Sequence, residues 1–288
     1  TAEEIRNNAD IVDSIKVNSY KHTLDFIKQA QVIRGYYDFS DVDVDRYTIN
    51  GEKKQVFLSA REIDQRLISP ATWQNKHLFY THGYGVVMSD SSTVTSQGQP
   101  DFLMKDIPIN NTTDIKVENP RLYFGELVED YIITGTEYDE FDYPKGGENE
   151  SYRYTGRAGI ELNFFNKILY AIEEAELKIL ISSLITEDSK IIRRRNVLER
   201  VNSIAPFLTY DDDPYLVVSD KEVYWMIDAY TLSDRYPNSL IHGSINYIRN
   251  SVKVTIDAYN GDVNFYLSDP SDPVAQSYNK IFGGLFQD

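Results

Sequence analysis

The residues best able to do chemistry sit together early in the chain. His77 and His82 bracket Leu78-Phe79-Tyr80-Thr81, and Gly83-Tyr84-Gly85 follows, so two of the four histidines fall within six residues. Imidazole is a general base and a common metal ligand, which makes this stretch the first candidate centre. A separation of five puts the two rings on neither one strand face nor one helix stripe, and no HExxH or other zinc spacing occurs. The plainer reading is that His82 packs in a turn shaped by Gly83 and Gly85. His82 is still the best single candidate for a catalytic side chain.

Carboxylates supply the remaining candidates. Asp228 and Asp257 occur in a repeated phrase, Ile227-Asp228-Ala229-Tyr230 and Ile256-Asp257-Ala258-Tyr259, each near the end of an expected strand. On neighbouring strands they would make the paired carboxylates of glycoside hydrolysis, with Tyr224, Tyr230 and Tyr259 as a sugar platform. Arg235, Arg249 and Lys253 lie close in sequence, so a salt-bridge network is the simpler reading. Asp41, Asp43 and Asp45, with Glu52 eleven residues after the first, imitate an EF-hand loop. Arg46 stands where that loop needs glycine, and Asn50-Gly51 makes the segment a hairpin whose three Asp share one solvated face. Looser calcium ligation is expected, if anywhere, at Asp139 and Asp142 or at Asp211 and Asp213, where the bland alternative is an exposed acidic loop. Arg193-Arg194-Arg195 reads as a solvated helix face. There is no GxSxG, P-loop or dinucleotide fingerprint, and no cofactor is expected beyond that calcium.

These side chains must be positioned by the elements around them. Residues 1–34 read as helical, broken at Arg34-Gly35-Tyr36-Tyr37. Asp41 to Ile49 alternates strictly, and Asn50-Gly51 turns it into a partner strand at Val56-Phe57-Leu58. A short helix is expected from Ser69-Pro70, with Trp73 and Leu78 as buried anchors. Val86-Val87-Met88 is strand-like and 89–100 a polar surface loop. Further strands are expected at Leu122 to Gly125 and at Tyr131 to Ile133. Phe165, Ile168, Leu169 and Ile172 line one face of a helix from Phe164; a second covers about 174–185, and a third runs from Thr186 to Ala205. The last third is β-rich, with a hairpin around Ser219-Asp220-Lys221 and another at Asn260-Gly261. Asp272-Pro273 opens a final helix that faces Ala275, Tyr278, Ile281 and Phe282 inward. With no alternating βα units, the fold class is α+β: antiparallel hairpins, a central helical block and a C-terminal helix. The chain divides at 160/161 into an N-terminal α+β part and a helical block with β-hairpins, unless the two form one continuous domain.

Composition narrows the function. The net charge of −16 disfavours nucleic acid as a partner, because phosphate binding is driven by Lys and Arg. The absence of cysteine removes disulfides, thiol nucleophiles and thiolate metal sites. Twenty-two tyrosines suit half-wet surfaces and interfaces. No apolar run approaches the ~20 residues of a membrane span; Leu177 to Ile185 reads as a buried helix.

One set of ordered motifs is more specific: Asp41-Val42-Asp43-Val44-Asp45-Arg46-Tyr47, Tyr80 to Val87, Lys105-Asp106-Ile107-Pro108, Glu140-Phe141-Asp142-Tyr143-Pro144, Ile204-Ala205-Pro206-Phe207-Leu208, Asp213-Pro214-Tyr215, Ser233-Asp234-Arg235-Tyr236-Pro237 and Ile245 to Lys253. Together they resemble a bacterial uncharacterised protein family of large integral membrane proteins, over about residues 13 to 286. Residues 1–12 match it poorly, and Asn238 to Gly243 departs. The resemblance implies an excised extracytoplasmic part of a membrane-anchored protein, whose partners would be its own transmembrane region and other envelope proteins or glycan. It brings no catalytic residues. The expected function is recognition or assembly at the cell envelope, with an envelope glycan enzyme and a calcium-stabilised surface domain as alternatives.

Overall fold

The computed structural model describes residues 1–12 and 14–287. Its N-terminal helical stretch is three pieces, α1 (Ala2–Asn7), α2 (Ala9–Val12) and α3 (Tyr20–Gln31). Ser19 starts α3 by accepting from the His22 N–H, and Ile27 and Gln31 carry its buried side. Asn50 and Gly51 then adopt φ of 51° and 87°, the left-handed pair that a two-residue hairpin needs. They join β1 (Asp43–Ile49) to β2 (Glu52–Ala60), with Ile49 opposite Glu52. With β3 (Val86–Val94), β4 (Pro100–Lys105) and β5 (Asn110–Asn111) these form a five-stranded antiparallel sheet in chain order.

Three expectations fail here. Residues 89–94 are strand rather than loop, because they pair with β2 and β4, and several of their polar groups find partners on the sheet or on the segment before α3. Asn18 Nδ2, for example, donates to the Thr93 carbonyl at 2.9 Å, and Lys54 pairs with Asp90 at 3.3 Å. The face of β1 that carries Asp43 and Asp45 also turns inward. Asp43 is buried, whereas Val44 and Arg46 are exposed. Between β2 and β3 the helical turn spans Asn75–Phe79, where Thr72 rather than Ser69 accepts the Asn75 N–H. Trp73 and Leu78 are buried as expected.

In the middle of the chain, β6 (Ile132–Thr134) is followed by the hairpin of β7 (Glu140–Lys145) and β8 (Glu148–Tyr152). Next come β9 (Ile160–Glu161), α4 (Phe164–Glu173), α5 (Lys178–Ile181), β10 (Lys190–Ile192) and α6 (Val197–Ile204). β10 lies between β6 and β9, so the expected third helix begins only at Val197, where the Asn196 side chain caps it. The arginine run before it is no helix face. Arg193 pairs with Glu173 and Glu174, Arg194 has φ of 49°, and Arg195 is buried. The apolar face of α4 is also reversed. Tyr170 and Ala171 pack against Leu78, Ile133, Leu162 and Ile179, and Phe165, Leu169 and Ile172 are left exposed.

The C-terminal sheet repeats the hairpin logic. Asp220 and Lys221 have φ of 49° and 72° between β12 (Tyr215–Ser219) and β13 (Glu222–Ser233). β13 alternates cleanly, burying Val223, Trp225, Ile227 and Ala229. It pairs with β11 (Thr209–Tyr210) and with β14 (Tyr247–Asp257); β15 (Val263–Leu267) follows, with β16 (Phe286–Gln287) parallel to it. Asp272 caps α7 (Pro273–Ile281) as its sequence predicts; Ala275 is buried, but Ile281 is exposed. The class is α+β. One apolar cluster takes Val56, Leu58 and Met88 from the first sheet together with Trp225, Ile227 and Val254 from the second, so buried packing runs across position 160.

Candidate functional site

Close backbone packing fixes the His82 stretch. Gly83 pairs with Leu122, and a Cβ on Gly83 would come within 2.4 Å of the Arg61 carbonyl oxygen. Gly85 has φ of +90°. His82 is fully buried between them and β7. Its Nδ1 faces Thr81 Oγ1 at 2.9 Å, its Nε2 faces Asp142 Oδ1 at 3.3 Å, and its ring stacks on Tyr123 with centroids 4.7 Å apart. Thr81 Oγ1 and the Tyr123 hydroxyl both donate to Glu140 Oε2, at 2.5 and 2.6 Å. Both ring nitrogens thus face acceptors, since the Thr81 proton is committed to Glu140.

Arg121 closes the other side, donating to both Asp142 oxygens at 2.8 and 2.6 Å while lying over the Tyr152 ring at 3.7 Å. Burial pushes the Asp142 carboxyl up, but hydrogen bonds from His82 and Arg121 outweigh it and hold the group below the ordinary range. Arg195 donates to the carbonyls of Thr81 (2.5 Å), Tyr123 (2.8 Å) and Asp130 (3.3 Å), tying this centre to the strand connections. Thr81 and His82 have no exposed atom surface to offer a substrate. This arrangement locks a turn. It resembles a Thr-His-Asp constellation only in composition, because the hydroxyl proton points at Glu140.

His77 behaves differently. Its Nδ1 contacts the Tyr131 carbonyl at 2.7 Å, and burial lowers its pKa. With Glu129, Asp130, Glu174, Glu176 and Arg193 it borders a cleft of about 310 Å³. A larger cleft of about 790 Å³ runs beside Glu52, Lys54 and Asp90. His82, Asp228 and Asp257 line neither.

The carboxylate pair is not assembled. β13 and β14 are neighbours, but Asp228 lies opposite Lys253 and Asp257 opposite Tyr224, four residues further along. At ~3.3 Å per residue that offset is about 13 Å, beyond the reach of a glycosidase pair. Asp228 binds Lys253 at 2.6 Å and Asn250 at 2.7 Å, the expected salt-bridge role. Asp257 shapes the turn after β14 by accepting the Tyr259 and Asn260 N–H groups. The calcium candidates scatter as well. Asp139 pairs with exposed Arg153, Asp142 belongs to His82 and Arg121, and Asp211 accepts from the Tyr230 hydroxyl at 3.1 Å. Only Asp213 joins a group of carboxylates.

That group was not expected. Asp41, Asp43, Glu62, Glu126 and Asp213 come from four places in the sequence and run from exposed Asp213, through half-buried Asp41 and Glu126, to buried Asp43 and Glu62. Burial pushes the Asp41 carboxyl up to about 6, and the neighbouring Asp213 adds to the rise. Burial and the Asp41 charge push Asp43 to about 8, against the Leu216 N–H that donates to it at 2.7 Å. Glu126 is pushed to about 9 by burial, against the Ser40 hydroxyl 2.5 Å away, with Asp41, Glu62 and Asp43 adding to the rise. Glu62 reaches about 7 through burial, although the Leu127 and Glu126 N–H groups and Arg195 favour its charge.

The whole chain, residues 1–288, matches the model of an uncharacterised protein family, UPF0182. The chain belongs to that family. A UPF0182 protein of Clostridium kluyveri is 54% identical over 288 residues, covering 100% of this chain and 32% of that protein. One of Clostridium botulinum strain Hall is 54% identical over 286 residues, with 99% and 32% covered. One of Clostridium tetani is 53% identical over 288 residues. No solved structure matches. The match includes residues 1–12, which the motifs alone had set aside. The chain spans about a third of the length of these UPF0182 relatives.

Among the described residues, no helix is long and apolar enough to cross a membrane. Within the UPF0182 chain two of the strongest family-like motifs, Asp41 to Tyr47 and Asp213-Pro214-Tyr215, meet at the acidic group, with Leu216 donating to Asp43. The sequence itself marks Asp213 as a candidate ligand and Asp41 and Asp43 as one strand face, but not that they meet.

Proposed function

We propose that this segment is a recognition or assembly part of a larger, membrane-anchored cell-envelope protein, and that it docks through α4 and α5 onto the portion of its own full-length polypeptide that the chain does not span. The observation that carries this reading is the outward apolar surface of two consecutive helices. Phe165, Ile172 and Ile181 are 80%, 74% and 74% exposed, and Phe164, Leu169, Leu177 and Leu180 are exposed beside them. Seven large apolar residues exposed on two consecutive helices exceed the singly scattered apolar residues of an ordinary surface, which is the pattern of an interaction site. The relatives' length supplies an occupant, since about two thirds of each lies outside the matched segment. The resemblance to large integral membrane proteins and the acidic, cysteine-free composition support an extracytoplasmic place for the segment. An anionic lipid surface fits less well, because Glu173, Glu174 and Glu176 sit among the apolar residues.

The test is reconstitution. The segment and the remainder of the protein are expressed separately and their association is measured. The triple variant Phe165→Ser, Ile172→Ser, Ile181→Ser should weaken association at least tenfold while leaving the segment's melting temperature within a few degrees. Equal association by the triple variant would overturn the reading.

A further inference from the structure

We propose that the tip of the β13–β14 hairpin, from Tyr236 to Ile248, is a lipid-contacting loop that inserts Leu240 and Ile241 into a zwitterionic bilayer surface. Leu240 is 93% exposed, more than any other large apolar residue among those described, and Ile241 beside it is 68% exposed. From Tyr236 to Ile248 the chain carries no Asp, Glu, Lys or Arg, although 26% of the whole is charged. A solvent-exposed tip gains nothing in water from such a composition. In the headgroup region it gains, because each charge taken there is costly and each aliphatic side chain favourable.

The loop is also built to leave water without unfolding. Asn246 clamps it: its Oδ1 accepts the Tyr236 N–H at 2.9 Å, and its Nδ2 donates to the Tyr236 and Ser239 carbonyls at 2.8 and 3.3 Å. The Ser239 hydroxyl donates to the Asn246 carbonyl at 2.8 Å, and His242 and Ile245 exchange backbone bonds at 2.8 and 3.3 Å. Asn238 and Gly243 turn the backbone at φ of 57° and 63°. Polar groups that are paired within the loop cost less to take out of water. At its base the Tyr236 and Tyr247 rings stack with centroids 4.4 Å apart, the half-wet aromatics that favour a membrane interface. Arg235 and Arg249 stand just outside, paired with Asp234 at 3.7 Å and Asp269 at 3.0 Å, so the collar is electrically balanced. The contact is therefore apolar, and the chain's net charge of −16 disfavours anionic lipid. A protein interface needs neither the charge-free length nor the internally paired backbone.

The experiment floats the chain with phosphatidylcholine vesicles at millimolar lipid. Wild type should float with them equally in low and high salt. The double variant Leu240→Ser, Ile241→Ser should lose about fivefold or more of the bound fraction, with its melting temperature within a few degrees because both positions are exposed. The triple variant of α4 and α5 should float like wild type, which separates this contact from docking through those helices. Because the chain has no cysteine, Leu240→Cys takes a single environment-sensitive fluorophore. Its emission should shift to the blue on vesicles and be quenched by nitroxides on the acyl chains. A label on Glu148→Cys, exposed at another hairpin, should not respond. No flotation, flotation undiminished in the double variant, or a label at 240 that stays in water would overturn the proposal. So would a label at 240 that ignores vesicles and shifts only when the remainder of the polypeptide is added, since the loop's partner would then be protein.

Discussion

At the scale of single residues, the protein treats its buried ionisable groups in two opposite ways. Asp142 and Asp272 are buried yet held below the ordinary carboxylate range, by His82 and Arg121 in one case and by Ser251, Thr231 and Tyr247 hydroxyls in the other. Asp41, Asp43, Glu62 and Glu126 are pushed up, to about 6, 8, 7 and 9. An acid with a raised folded-state pKa keeps its proton after the unfolded chain has lost its own. Unfolding then releases protons, and the stability present below about pH 4 is lost as pH rises through those values. The urea midpoint should therefore be higher near pH 5 than near pH 8, and Glu126→Gln should flatten that slope. A midpoint that climbs between those pH values would contradict the assignment. His82 makes a separate prediction. His82→Ala strips a partner from buried Thr81 and Asp142 and should cost about 3 kcal/mol in urea unfolding. A loss below ~1 kcal/mol would show that the turn does not depend on it.

At the scale of elements, backbone chemistry was the readable part. Asn50-Gly51 and Asp220-Lys221 made their hairpins, and Asp272-Pro273 capped its helix, because φ preferences and caps are local. Which face turns inward was not readable where a neighbour from far along the chain decides it. Asp43 is buried because β12 lies against β1 and Leu216 donates to it. Phe165 and Ile172 are exposed because Tyr170 and Ala171 already fill the packing site on that side. The strand at 89–94 was hidden by its serines, which pass for loop residues until their partners are known.

Glycines separate local from distant constraint in a measurable way. Gly51, with φ of +87° and nothing within 4 Å of a Cβ, should lose about 1 kcal/mol on change to Ala. Gly261, with φ of +69°, would put that Cβ 2.4 Å from the Phe124 ring and should lose at least about 2 kcal/mol more. Similar losses in the two variants would show that the Phe124 contact gives way freely.

At the scale of the molecule, the two sheets share one apolar cluster, which no local pattern announces because Val56 and Trp225 are far apart in sequence. The family was legible from ordered motifs, and its full extent from residue 1 came from comparison. The candidate sites were legible only in pieces. His82 lies at the centre of the early stretch but is fully buried, and the acidic group needed the fold to bring Asp213 near Asp41. The exposed apolar surface of α4 and α5 is where we propose that this segment meets the rest of its polypeptide. Its central claim is best tested in the full-length protein, with a photo-crosslinking amino acid at position 165. The account predicts crosslinks to peptides of the same polypeptide outside the 288-residue segment, lost when Ile172 and Ile181 are changed to Ser. Crosslinks to lipid or to a second copy, or none at all, would contradict it.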